Sequence, residues 1–554
     1  MIAQSMKKNI FLILIFFLKP DSSAILAQGL LQNKTLFTKQ DTLRGSITEE
    51  RAWWDLNHYH LDIKVDPEKK YISGHNTIQY TVLKSHSIMQ IDLQAPLVIT
   101  KVTQDSIILP VESVGSAHFI SLAETQNVGD INYLKVHYEG HPHEAKNAPW
   151  DGGVSWKKDP NGNHFIATSC QGIGASIWWP NKDHMYDEVD SMHISVNIPK
   201  NLTNISNGRL LDLEQHNDDT VTSHWFVSNP INNYGVNINI GDYAHFSEVF
   251  NGEKGALDLD YYVLKDNLKK AKLHFKDAPK MMSAFEFWLG PYPFYEDGFK
   301  LVEVPYLGME HQSSITYGNQ YLKGYLGNDL SKTGWGLKFD FIIIHEAGHE
   351  WFANNITYRD IADMWIHEGF TAYIESLYLE YHFGKKAGNE YAVGKGQVIR
   401  NDKPIIGHYN VNNEGSSDMY NKGAFMLHTL RQLIGNDEKW RNILRGLNTT
   451  FYHKTVTTKE IEEYLSKTSQ INLTAFFNQY LRDVRIPTIE YKLHNDNVTY
   501  RYTNIVNNFD MPVKLKLKEG YQWIYPKAEW QNLDLKETSF TIDENFLINS
   551  VRVN

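Results

Sequence analysis

From Trp53 to Val249 the apolar positions recur at every second residue. In HYHLDIKVD, Tyr59, Leu61, Ile63 and Val65 fall on one side and polar residues on the other. TIQYTV repeats the pattern with Ile78, Tyr80 and Val82, and HISVNIP with Ile194, Val196 and Ile198. Alternation broken by clusters of Gly, Asn and Asp predicts half-buried antiparallel strands. We read one all-β domain over residues 45–250. Near Asp260 the period lengthens to that of a helix. The stretch DNLKKAKLHFKDAPKMMSAFEFWLG predicts one helix, and GAFMLHTLRQLIG another with Gly435 as its stop. In VTTKEIEEYLSKT, Thr457 and Glu460 stand three apart, as a capping box requires. LTAFFNQYLRD closes a mostly helical middle domain, residues 251–485. After Ile486 and Pro487 the alternation returns: Val513, Leu515 and Leu517 face away from Lys514, Lys516 and Lys518. Residues 486–554 therefore form a small C-terminal β domain. The whole is a multi-domain α+β protein, as a chain of 554 residues, too long for one core, should be.

Composition narrows the function. Aromatic residues make up 13% of the chain, enough for large cores. The net charge of −11 comes from interspersed acids. A nucleic-acid partner would require a basic face, so that class is excluded. Lys7 and Lys8 precede the apolar run Ile10–Leu18, and small residues follow at Ser22, Ser23 and Ala24. This is the layout of a secretory signal, residues 1–27, cleaved near Ala24 or Ala27. The apolar run is too short for a membrane span, which takes roughly 20 residues, and no later segment is apolar enough to cross. The expectation is an exported protein, periplasmic or secreted, with no stable membrane span in the mature chain. Cys170 is the one cysteine, so neither an internal disulfide nor a cysteine metal cluster is available. Any metal must be held by His, Asp or Glu.

His345, Glu346 and His349 form H-E-x-x-H. Positions four apart share a helix face, so both imidazoles can reach one ion. Zn²⁺ suits two neutral nitrogens and a carboxylate, with one position left open for water. Glu368 lies nineteen positions after His349 in the helical pattern IHEGFTAYIESL, where a helix–loop–helix would return it to the first helix as third ligand. Glu346, beside the ion without binding it, can take a proton from a zinc-activated water. Glu375, seven residues past Glu368, is a candidate partner for the ligands. The plain alternative is a buried helix with two incidental histidines.

Spaced in this way, His345, Glu346, His349 and Glu368 resemble the gluzincin zinc aminopeptidases of peptidase clan MA, the family of aminopeptidase N and the leukotriene-hydrolase-type aminopeptidases. Three further segments share the resemblance. LGMEHQ (307–312) is similar to the family's G-x-M-E-N segment, in which Glu310 would bind the substrate's α-amine, with Gly308 and Met309 beside it on a substrate-binding edge. A protonated amine entering a closed cleft requires a fixed anion to offset its desolvation. Leu307 and His311 depart from the family's Gly and Asn. CQGIGASIWWPNKD carries Gln171, which by resemblance is a second amine contact; Ser176 stands at the family's arginine. MYNKGAFML carries Tyr420, Lys422 and Gly423 of a Y-x-K-G segment, whose tyrosine donates to the developing oxyanion. Each has a plainer reading: a loop acid at 310, a strand residue at 171, a core tyrosine at 420. Trp178, Trp179 and Cys170 read as core. Arg482 and Arg485 read as surface or interdomain residues before carboxylate-binding ones.

The resemblance implies a saddle-like N-terminal β domain and a thermolysin-like catalytic domain. It implies one Zn²⁺ per chain and peptide substrates with a free N-terminus. The expected reaction is removal of N-terminal residues by attack of a zinc-activated water. The alternatives are a zinc endopeptidase or other hydrolase on the same scaffold, or a non-catalytic peptide-binding protein.

Overall fold

A computed structural model describes residues 36–494, 497–535 and 540–554. The expected signal segment, residues 1–27, lies outside the described residues. The strand Trp54–Asp66 runs antiparallel to Tyr71–Val82, with Tyr59 opposite Ile78 and Leu61 opposite Asn76. Tyr59, Leu61, Ile63 and Val65 are buried, so the alternation of the sequence becomes the two faces of a sheet. Eight strands make that sheet. A four-stranded sheet, in the order Thr203–Ser206, Ile238–Gly241, His164–Ser169 and Gly153–Lys158, packs into the same apolar core. The expectation of antiparallel pairing fails at one place. Trp54–Asp66 pairs in parallel with Ser191–Pro199, His60 standing opposite His193. More than a hundred residues separate these strands, which gives the chain room for the crossover that parallel pairing demands.

The second unit opens on a hairpin, Tyr243–Gly252 with Gly255–Leu264. Its sheet continues through Phe299–Glu303 and Ile315–Tyr317 to an edge strand, Gly308–Met309. The expected division at 250/251 thus falls inside the hairpin. The predicted single helix near Asp266 is two, Leu268–His274 and Asp277–Leu289. Pro279 explains the break: its ring would strike the carbonyl of Phe275, so a helix can begin just before it but not pass through it. Helices then dominate. Asp418–Ile434 ends at Gly435, which takes the left-handed φ of 63°. Thr458–Ser469 begins with the predicted capping box.

The C-terminal unit is two small sheets. Val513 and Leu515 join the core of the helical unit. Tyr480 donates to the Leu547 carbonyl at 2.8 Å, and the Leu547 N–H donates to Thr429 Oγ1 at 3.0 Å. This unit therefore braces the helix whose first turn carries Tyr420. Trp178, Trp179 and Cys170 are buried. Arg482 pairs with Glu462 and Arg485 with Asp483, each at 2.6 Å. No helix among the described residues is long and apolar enough to cross a membrane.

Candidate active site

Asp340 starts the helix Phe341–Gly348 by accepting from the N–H groups of Ile342 and Ile343, at 3.0 and 3.3 Å. Ile342, Ile343 and Ile344 are buried. An all-round apolar helix of this kind belongs inside a core, and that packing fixes the direction of His345 and Glu346. The regular helix stops at Gly348. His349 keeps helical dihedrals (φ −64°, ψ −17°) just past it, and a wider π-turn follows over Glu350–Asn354. The four-residue spacing holds because the backbone stays helical one residue beyond the last regular turn.

Glu368 sits in the first turn of Trp365–Phe383. Its Oε2 lies 3.6 Å from His345 Nε2 and 3.4 Å from His349 Nε2. The three side chains bring one ligand atom each within 4.8 Å of one another. The far nitrogens are engaged. His345 Nδ1 donates to Glu375 Oε1 at 2.8 Å, and His349 Nδ1 to the Phe352 carbonyl at 3.0 Å. Both Nε2 lone pairs are thereby directed at the common space. Glu375 also accepts from the Tyr391 hydroxyl at 2.5 Å and lies 3.6 Å from Lys395 Nζ.

These residues fit a zinc ion on two grounds. Glu368 Oε2 is buried with no hydrogen-bond partner among the described residues. The carboxyls of Glu310, Glu346, Glu368 and Glu375 are all buried around two imidazoles, a surplus of acid that a divalent cation offsets. Burial works against the Glu368 anion, yet the charges of His349 and His345 beside it hold the carboxyl below its usual range. Burial also opposes charge on His345, but Glu368 and Glu375 raise its pKa to about 10. The space asks for positive charge. Glu346, pushed up to about 7 by burial first, remains close to the balance that a proton-transferring base requires.

Glu310 follows the edge strand, buried, and its Oε1 accepts from Gln171 Nε2 at 2.7 Å. The same Gln171 nitrogen donates to Glu368 Oε1 at 2.9 Å. With its amide N–H groups spent on two carboxylates, Gln171 has its carbonyl oxygen left to meet a cation. Glu310, Glu346 and His349 also bring ligand atoms within 4.8 Å of one another, so an amine on Glu310 stands within a few ångströms of the base. Gly308 is required by space: a Cβ there would lie 2.5 Å from Ile342 Cγ2 on the zinc helix. Met309 is buried in the apolar core of the β domain, so its side chain is spent on packing and the edge strand offers backbone. His311 is buried and held neutral, its pKa pushed down to about 3. The Tyr420 ring stacks near His345, 6.1 Å between centroids. Burial and the nearby Glu368 keep its hydroxyl protonated, as a donor.

Sequence reasoning missed two supports. Tyr234 donates its hydroxyl to Glu310 Oε1 at 3.1 Å, and Asn354 donates to the Glu310 carbonyl at 2.9 Å. Asn354 follows the zinc motif closely, but nothing in the residues around Tyr234 marks it.

Comparison with known proteins gives the family of the chain. Residues 275–480 match the Peptidase family M1 domain, and residues 56–234 the Peptidase M1 N-terminal domain. The two stretches together take in well over half of the chain. The chain belongs to the M1 peptidase family. It is 23% identical over 336 residues to a protein described as "Probable aminopeptidase 2" of Sulfurisphaera tokodaii, covering 58% of this chain and 41% of that protein. It is 25% identical over 316 residues to leukotriene A-4 hydrolase of Xenopus laevis, covering 54% and 48%. The chain thus spans under half the length of these two relatives. Among solved structures, the M1 zinc metallopeptidase of Deinococcus radiodurans shares the fold with a TM-score of 0.64 at 19% identity, over 76% of this chain and 91% of that one. A mutant of that peptidase has been solved with a Tyr-Ser-Ala substrate. Both family stretches and the shared fold agree with an all-β N-terminal domain followed by a helical catalytic domain.

Proposed function

We propose that the chain is an exported, zinc-dependent aminopeptidase that holds one zinc ion and removes N-terminal residues from peptides. The observation that carries this reading is the buried Glu310, joined through Gln171 to Glu368, within the same few ångströms as Glu346 and His349. An acid in that place anchors the substrate's α-ammonium one residue from the bond to be cut. His345, His349 and Glu368 hold the ion. When bound, zinc supplies Lewis acidity, lowering the pKa of water and polarising the scissile carbonyl. Glu346 takes the proton from the attacking water as the carbon–oxygen bond forms. It returns that proton to the amide nitrogen as the carbon–nitrogen bond breaks. The Tyr420 hydroxyl donates to the carbonyl oxygen as negative charge gathers there. Glu310 and the Gln171 carbonyl hold the ammonium throughout. Export rests on the pattern of Lys7, Lys8 and Ile10–Leu18.

The test is hydrolysis of aminoacyl-chromophore amides and of one short peptide, free and N-acetylated. We expect release from the free forms, loss with a chelator, recovery with Zn²⁺, and no cleavage of the acetylated peptide. Equal cleavage of the acetylated peptide would remove Glu310 from its role and make the protein an endopeptidase.

A further inference from the structure

One turn of the β domain reaches across to the catalytic domain at Glu310. Asn232 caps it, its Oδ1 accepting from the Gly235 N–H at 2.6 Å. The whole turn, Asn232 to Gly235, is buried. Two of its side chains hold the one residue. Asn232 Nδ2 donates to Asn354 Oδ1 at 3.2 Å, and Asn354 in turn donates to the Glu310 carbonyl. Tyr234 donates to the Glu310 carboxylate, at Oε1.

The direction of the Tyr234 hydroxyl is set from its far side. The Tyr358 N–H lies 2.8 Å from His367 Nε2 and can only donate. That nitrogen therefore accepts, and the neutral ring carries its proton on Nδ1. His367 Nδ1 stands at a long 3.5 Å from the Tyr234 oxygen, which is the acceptor for that N–H. Tyr234 has a single proton, so the oxygen that accepts from His367 gives its own proton to Glu310. The bonds run one way, from the Tyr358 N–H through His367 and Tyr234 to Glu310 Oε1. His367 is fully buried, and its ring stacks on that of Tyr358 with 4.1 Å between centroids, so the imidazole is held in this orientation. Gln171 Nε2 meets the same Oε1. Two donors on one oxygen fix the plane of a buried carboxylate and favour its charged form.

We propose that Tyr234, with His367 behind it, is a positioning residue of the amine site: it occupies Glu310 Oε1 and so leaves Oε2 for the substrate's α-ammonium. The inference rests on the reading of Glu310 given under the proposed function. It makes the preference for a free N-terminus depend on how the β domain seats on the catalytic domain, because Tyr234 belongs to the first and Glu310 and His367 to the second.

The test measures binding without turnover. The zinc-loaded full chain carrying Glu346→Gln serves as parent, and calorimetry gives Kd for one short peptide, free and N-acetylated. The parent should prefer the free form, and Glu310→Gln should abolish that preference. Tyr234→Phe in the parent should weaken the free peptide about tenfold, the size of one hydrogen bond to a charged group. The acetylated peptide should change little, and zinc content should not change. His367→Leu should act in the same direction. His367→Asn, whose amide can donate from near the place of Nδ1, should keep most of the preference. Tyr234→Phe retains the ring, so it carries the test where His367→Leu does not fold. A merely structural role would weaken both peptides alike. Equal loss for both, or loss for neither, with the parent's preference intact, would overturn the proposal and leave Glu310 in its role. A parent that binds the two peptides equally would remove Glu310 from that role, and the proposal would fall with it.

Discussion

The residues of the site divide by how far apart in sequence their partners lie. His345, Glu346 and His349 were legible because one helical turn sets their relation. Glu375 was legible because it rides the same helix as Glu368. Tyr234 was not, because its partner Glu310 is 76 residues away and only tertiary packing unites them. The same contrast predicts which substitutions separate binding from chemistry. In the proposed mechanism Tyr420→Phe removes a donor needed only as the oxyanion forms. It should lower kcat by about 10²–10³, the cost of one oxyanion donor, while KM stays within a few-fold. Steady-state kinetics on a chromogenic amide checks this, and a larger effect on KM would make Tyr420 a binding residue. In the proposed mechanism Glu346 is the base and not a ligand, so Glu346→Gln should retain zinc yet abolish turnover. Zinc analysis beside the rate measurement distinguishes a lost base from a lost metal.

At the scale of elements, the long strands and the capped helices were legible and the shortest elements were not. The strands Gly308–Met309 and Ile315–Tyr317 have two and three residues, too few for a period to show, so neither was marked in the mostly helical reading of the middle unit. The N-terminal arm escaped notice for a similar reason. Its helix Lys39–Gly45 has seven residues and precedes the family's matched region, which begins at 56. The arm nevertheless reaches the loop that carries Gln171. Arg44 donates to the Gly172 carbonyl at 2.9 Å, and Asn412, from the catalytic domain, donates to the same oxygen at 3.1 Å. Buried Arg51 fixes the arm by donating to the carbonyls of Leu43 and Ser46, at 2.8 and 2.9 Å. Gly172 follows Gln171, so the arm holds the backbone next to the side chain proposed as the second amine contact. Arg44→Ala should therefore raise KM by up to about tenfold, the size of one charge-assisted hydrogen bond, with zinc content unchanged and kcat little altered. A fall in kcat at constant KM would show that the arm does not position Gln171. Gly308→Ala belongs to the same scale. The new methyl meets Ile342, and the edge strand must move off the zinc helix, at a cost of about 1–3 kcal/mol; thermal unfolding would register it.

For the molecule as a whole, buried titratable groups pull stability in opposite directions with pH. His184 is buried, its Nε2 3.3 Å from the Gly45 carbonyl while its Nδ1 accepts from the Tyr186 N–H. Burial first, then the charge of Arg51, pushes its pKa down to about 3. The unfolded chain takes up that proton near pH 6.5, as the folded chain does not. His184 therefore leaves full stability above pH 6.5 and removes it as pH falls toward 3, by up to about 1.4 kcal/mol for each pH unit. Glu188 acts in the reverse sense. Burial pushes it up to about 8, against a hydrogen bond from Thr357. Its contribution is full below about pH 4.5 and is lost as pH rises through 8. Stability should thus peak between the two limbs, and each limb should belong to a named residue. His184→Gln should flatten the decline in Tm below about pH 4.5 without changing the slope above pH 7. Glu188→Gln should flatten the slope between pH 6.5 and 8 and leave the limb below about pH 4.5 as it was. Both variants lose some packing, so slopes of Tm against pH, not absolute values, carry the comparison. If His184→Gln leaves the acid slope unchanged, the acid limb belongs to other buried histidines, of which His428, pushed down to about 4 by burial, is the next to replace.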